Sequence, residues 1–155
     1  MTPAINILKQ SKTPYSLLEY QHDSSATSYG NEAVEKLSLD ARQVFKTLVI
    51  TCDNEKLAVA IVPVDLKLNL KAIASALKVK KVKMADVKRV EASSGYVLGG
   101  VSPLGQKRLL PTVIDISAEN FSQIYVSGGK RGLEIALCPK DLAHLCKATY
   151  ANISN

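Results

Sequence analysis

Val97-Leu98-Gly99-Gly100-Val101-Ser102-Pro103-Leu104-Gly105-Gln106-Lys107-Arg108 packs three glycines, one proline and a Lys-Arg pair between apolar segments. A second stretch, Ser127-Gly128-Gly129-Lys130-Arg131-Gly132, echoes it, and together they hold six of the chain's eight glycines. Glycine is used where the backbone needs positive φ or must approach another group closely. A Gly-Gly pair followed by Lys-Arg offers bare N–H groups and positive charge, the lip of a pocket for an anionic ligand. One such loop alone reads better as a tight turn with solvated cations. Two of them favour a site.

Outward from these loops, the chain has 155 residues, enough for one domain with a real core. Hydrophobic content of 46% and charged content of 22% are those of a soluble globular protein. No segment reaches the roughly 18 apolar residues that span a bilayer, so no membrane association is expected. The start, Met1-Thr2-Pro3-Ala4-Ile5-Asn6, has neither a basic nor an apolar leader region. Cys52, Cys138 and Cys146 are odd in number and form no CxxC, which points to a reducing cytoplasm. The net charge of +6 favours a polyanionic partner such as nucleic acid.

Thr2 caps a first helix with Pro3 at its first position, and Tyr15 to Tyr20 reads as a strand that delivers Tyr20, His22 and Asp23 to its end. Ser28 precedes a short helix over Asn31 to Leu37. Gln43 to Cys52 and Lys56 to Pro63 form a hairpin around Asp53-Asn54. Lys46 interrupts the apolar run of the first of these strands; solvent is its default destination and a polar cavity the alternative. Asn69 caps a helix over Leu70 to Lys78 with apolar residues at Leu70, Ile73, Ala74 and Leu77. A basic run follows, Lys78, Lys80, Lys81 and Lys83, then Lys88 and Arg89. It is either a solvated face or a surface along a phosphate backbone. A helix over Ala85 to Ser93 ends at Gly95. Strands are expected at 112–116, 123–127 and 133–138, a helix from Pro139 to Cys146, and a last strand at 149–153.

The glycine loops fail the nucleotide fingerprints. Gly100 and Gly105 have the P-loop spacing, but Gln106 stands where lysine is required, and there is no GxGxxG. The two histidines, His22 and His144, build no metal site with the cysteines; His144 and Cys146 are two apart on a helix and point in different directions. No GxSxG elbow accompanies His22 and Asp23. What remains is a pocket of Tyr20, His22, Lys46, Ser127 and backbone amides, without a strong nucleophile. Such a pocket suits a substrate that is already activated, such as an aminoacyl ester, with N–H groups stabilising the oxyanion.

At this point four separated motifs matter: Phe45-Lys46-Thr47-Leu48, Lys80-Lys81-Val82-Lys83-Met84-Ala85-Asp86, Ser94 to Lys107, and Ile124 to Leu133. In this order they resemble the YbaK/EbsC family of trans-editing aminoacyl-tRNA deacylases, relatives of the editing domain in bacterial prolyl-tRNA synthetases. The start of the chain and Tyr20…His22-Asp23 resemble the branch that deacylates Cys-tRNA(Pro). The resemblance covers essentially the whole chain, one editing domain over 1–155. It implies a mixed α+β fold with a partly closed, barrel-like sheet flanked by short helices. It implies hydrolysis of the ester joining cysteine to the 3′ end of tRNA(Pro), with the substrate's own thiol assisting. Size alone separates cysteine from proline by only about 10–200-fold, so a second hydrolytic site is the usual remedy.

By resemblance, Lys46 matches the lysine needed for activity, and Gly99 to Pro103, with Gly100 and Ser102, match the loop that holds the terminal adenosine and the carbonyl. Tyr20 and Ser127 match positions shaping the thiol site. His22, Gly128, Gly129 and Lys130 are further candidates for substrate contact, and Glu134 falls where relatives carry aspartate. No cofactor is implied. The implied partners are the tRNA and, transiently, prolyl-tRNA synthetase. The competing readings are a deacylase for Ala-tRNA(Pro) or another mischarged tRNA, and a tRNA- or synthetase-binding module without catalysis.

Overall fold

The computed structural model describes residues 1–25 and 29–155; Ser28, ahead of the second helix in the sequence reading, lies outside them. The described elements are α1 (Pro3–Gln10), β1 (Ser16–Glu19), α2 (Tyr29–Leu37), β2 (Phe45–Cys52), β3 (Leu57–Pro63), α3 (Leu70–Ala76) and β4 (Val82–Met84). They continue with α4 (Val87–Ser94), β5 (Thr112–Asp115), a 3-10 helix (Ile116–Asn120), β6 (Ile124–Ser127), β7 (Leu133–Leu137), α5 (Pro139–Cys146) and β8 (Thr149–Ala151).

The expected mixed α+β class is what the chain adopts, but its strands form two sheets that do not close into a barrel. One sheet has the order β1-β7-β6 and the other β4-β2-β3-β5-β8. The larger is antiparallel across β4-β2-β3 and parallel across β3-β5-β8. A parallel bridge, Val44 to Tyr125, joins the two sheets among the described residues, and Tyr125 N–H donates to the Gln43 carbonyl there at 3.0 Å.

Alternation along the strands sorts side chains between two cores. In β3, Val59 and Ile61 enter the larger core, while Ala58, Ala60 and Val62 face the smaller one with Ile73 of α3. Every residue of β3 is buried, as expected of a central strand covered on both faces. In β6 and β7, Ile124, Val126, Leu133 and Ile135 point into the larger core. The residues between them, including Ser127 and Glu134, therefore point to the other face.

The caps at Thr2 and Asn69 are those the sequence announces, and Asp86 adds a third. The Thr2 hydroxyl accepts from Ile5 N–H, Asn69 accepts from Ala72 N–H and Asp86 from Arg89 N–H. Gly95 ends α4 with φ +81°, a left-handed conformation that glycine adopts without strain.

Candidate active site

A cleft of about 340 Å³ lies where β2, β6 and β7 meet the two glycine loops. β2 supplies Lys46, Thr47 and Leu48, the end of β6 supplies Ser127, and β7 supplies Glu134. Tyr20 follows β1, and Leu98, Gly99, Lys130 and Arg131 come from the two glycine loops. Six of the residues singled out from sequence thus line one cavity: Tyr20, Lys46, Gly99, Ser127, Lys130 and Glu134. Neither a cysteine nor a histidine is among its lining residues.

Lys46 does not take the solvent position that is its default. It is half-buried in this cleft, and burial lowers the pKa of its ammonium, with Asp65 partly opposing the shift. Glu134 is register partner to Ser127 on β6, so the two side chains are neighbours on the cleft face. Glu134 is only 7% exposed, and burial pushes its carboxyl up to about 8. It is therefore mostly protonated at neutral pH and adds little negative charge to the cavity. Tyr20 is held by its N–H on the Gly132 carbonyl at 2.9 Å. Burial first, then the nearby Glu134, raises its phenol pKa.

Just beyond Tyr20 the chain is pinned by Glu32 of α2, a residue the sequence gives no reason to select. Its carboxylate accepts from Asp23 N–H at 2.7 Å and lies 2.6 Å from His22 Nδ1. Lys36 stands 3.2 Å from it and donates to the Gln21 carbonyl. Burial raises the Glu32 pKa, but these bonds outweigh it and leave the carboxyl below its ordinary value. His22 is thus a partner of Glu32 and is not among the cleft's lining residues.

The two glycine loops pack on each other. A Cβ on Gly100 would fall 2.8 Å from Lys130 Cα, and one on Gly129 would fall 2.7 Å from the Tyr96 ring. Gly100 N–H donates to Val97 O and Gly128 N–H to Leu133 O; Gly129 N–H donates to the Ser127 hydroxyl at 3.2 Å. Those amides are engaged within the protein, which leaves Gly99, at φ +90°, as the loop glycine on the cleft wall. Ser102 and Pro103 are buried behind it. The Ser102 hydroxyl accepts from Leu104 N–H, and the Cys146 thiol donates to the Pro103 carbonyl at 3.2 Å. Gly100 and Gly129 instead line an adjoining cavity of about 530 Å³, which shares Leu98, Lys130 and Arg131 with the cleft.

Sequence reasoning missed two polar members of the lining. The Thr47 hydroxyl is buried without a hydrogen-bond partner among the described residues. Arg131 donates from Nη2 to the Leu98 carbonyl at 3.0 Å, tying one loop to the other. Both sit beside residues already singled out, which is the signal that could have found them. Among the described residues, no group of three or more His, Cys, Asp or Glu is placed to hold a metal ion. No described helix is long and apolar enough to cross a membrane.

Comparison with known proteins places the whole chain among its relatives. The family profile described as "Aminoacyl-tRNA editing domain" matches residues 23–145. An Enterococcus faecalis protein named EbsC, a proposed Cys-tRNA(Pro)/Cys-tRNA(Cys) deacylase, is 38% identical over 154 residues, covering 99% of this chain and 93% of that protein. A solved structure described as a proposed trans-editing enzyme for prolyl-tRNA synthetase superposes with a TM-score of 0.83 at 19% identity, over 100% of this chain and 98% of that one. The crystal structure of a hypothetical protein superposes with a TM-score of 0.86 at 22% identity, over 99% of each chain. The structural likenesses speak for the fold; the profile match and the sequence identity go further, and by them the chain belongs to the aminoacyl-tRNA editing domain family.

Proposed function

We propose that this protein is a trans-editing deacylase that cleaves the ester between cysteine and the 3′ end of tRNA(Pro), in transient association with prolyl-tRNA synthetase. One observation carries the reading: the cleft presents a half-buried lysine and a buried, largely neutral carboxyl, and no cysteine or histidine lines it. An aminoacyl ester is already activated, so a protein nucleophile is dispensable if the substrate brings its own. A cysteinyl ester does. The EbsC relative is named for the same substrate class.

In the proposed chemistry the substrate thiol loses its proton and its sulfur attacks the ester carbonyl carbon. The bond from that carbon to the ribose oxygen breaks, and the ribose oxygen takes up a proton. Water then opens the small thiolactone to release free cysteine. A thiol of pKa about 8.5 is a few per cent ionised at neutral pH, and a neighbouring ammonium raises that fraction. Lys46 supplies that positive charge and balances the developing oxyanion. Glu134, kept mostly protonated by burial, avoids repelling either anion and can donate a hydrogen bond. Tyr20 and Ser127 bound the space for the amino-acid side chain.

The test is single-turnover deacylation of Cys-tRNA(Pro), Cys-tRNA(Cys) and Ala-tRNA(Pro) by wild type and Lys46→Ala. Rapid loss of cysteine only, slowed about 10²–10³-fold in the variant, is expected, the cost of removing one electrostatic stabiliser. Preference for alanine would replace thiol assistance with attack by water. Undiminished tRNA binding without deacylation would leave a binding module and end the enzymatic reading.

A further inference from the structure

Positive charge is not spread evenly over this molecule. Residues 78–89 contain six cations and one acid, which amounts to five of the net six charges of the whole chain. Lys78, Lys80, Lys81, Lys83 and Lys88 are all exposed, and none forms an ion pair among the described residues. Lys83 lies on β4, the outer strand of the larger sheet, and Lys81 immediately precedes that strand.

From β4 the basic surface continues toward the cleft. β4 runs into α4, roughly 12 Å long for its eight residues, with Lys88 and Arg89 in its first turn. At its other end Lys107 N–H and Arg108 N–H donate to the carbonyls of Ser94 and Ser93. That places a second exposed Lys-Arg pair beside the last turn of α4. Leu98, four residues past the end of α4, then meets Arg131 at the cleft wall. The acids along this path are few. Asp86 caps α4, Glu91 accepts from Leu98 N–H, and Asp53 and Glu55 lie in the β2–β3 turn, where Glu55 faces Arg89 at 3.8 Å.

We propose that this track, from the cleft lip along α4 to β4, carries the backbone phosphates of the tRNA acceptor stem, the duplex RNA next to the 3′ end. The inference rests on the editing reading, because that reading puts the 3′ end in the cleft. Lysines on an exposed edge strand also serve to block strand pairing with another chain. That role concerns Lys81 and Lys83 alone and accounts for neither Lys78 and Lys88 nor the pair at the far end of α4. A line of exposed lysines and arginines leading away from the site of the terminal ester fits a polyanion whose end is fixed there.

The experiment uses the triple variant Lys80→Gln, Lys81→Gln, Lys83→Gln, none of which lines the cleft, beside the same three positions changed to Arg. Affinity for uncharged tRNA(Pro) is measured between 50 and 200 mM salt, and deacylation is measured on Cys-tRNA(Pro) and on a cysteinylated CCA trinucleotide. The Gln variant should bind tRNA at least about 10-fold more weakly at low salt, with the slope of log K against log salt reduced by about 2. It should cleave the trinucleotide at the wild-type rate, and the Arg variant should retain tRNA affinity. Unchanged affinity and slope would overturn the proposal, as would equal losses on both substrates. So would a loss confined to binding of prolyl-tRNA synthetase, which would make the face a protein-docking surface. If wild type cleaves neither substrate the editing reading falls, while tRNA affinity still judges the track.

Discussion

Glu134 shows how one side chain's setting decides its chemistry. On a solvated strand it would be an anion at neutral pH. Against the apolar packing of β7 its carboxyl rises to about 8, so the folded state holds a proton that the unfolded chain releases near 4.5. The stability this group lends is complete below the unfolded value and is lost as pH rises through about 8. Glu134→Gln should therefore match wild type in thermal unfolding near pH 4 and exceed it by pH 8–9. The gap should be on the order of a few kcal/mol. Parallel melting curves across that range would refute this. The sequence makes the residue conspicuous through its resemblance to family aspartates, but not its protonation, because burial depends on what β1 and β6 bring alongside. Lys46 is similar. Its break in an apolar run is visible in the sequence, while its turn into a cavity depends on the junction between β2 and β6.

At the level of elements, local signals carried most of the fold. Caps at Thr2 and Asn69, the Asp53-Asn54 hairpin, the Gly95 stop and the apolar periodicities fix five helices and seven strands near their observed limits. β4 was illegible because it has only three residues, the middle one a lysine, and exists by pairing with Ile50–Cys52. The 3-10 helix after Asp115 was hidden for a related reason: it is short and organised by the Asp115 carboxylate, which bonds Ser117 and Ile153 N–H. The glycine loops were conspicuous, yet their partners were not; each is shaped chiefly by the other and by the N-terminal helix. Gly100→Ala, whose Cβ would press on the Lys130 backbone, should lower stability by about 1–3 kcal/mol. It should also reduce any cleft-dependent activity more than Ala substitution at exposed Ser122. A chemical-denaturation midpoint equal to wild type would show that the loops separate freely.

Across the whole molecule, the three cysteines report on how far the structure opens. All are free, with Cys52 and Cys146 buried and Cys138 partly exposed. Burial raises the thiol pKa of Cys52 and pushes that of Cys146 to about 12. Only the thiolate reacts, so iodoacetamide at pH 8 should modify Cys138 within minutes and the other two only on unfolding. Mass spectrometry after a short pulse checks this, and early modification of Cys146 would contradict the close docking of α5 on the first glycine loop.

The meeting of the two sheets at the bridge between Val44 and Tyr125 has a mechanical side. The cavity's floor is split between them, with Lys46 on one and Glu134 on the other, so its width follows the stiffness of that seam. Under the proposed editing function a cleft that must hold one small aminoacyl ester tolerates little compliance, and the amide of Tyr125 is its natural strain gauge. Slow hydrogen exchange there would mark a rigid gauge, and fast exchange a cavity that breathes between sizes.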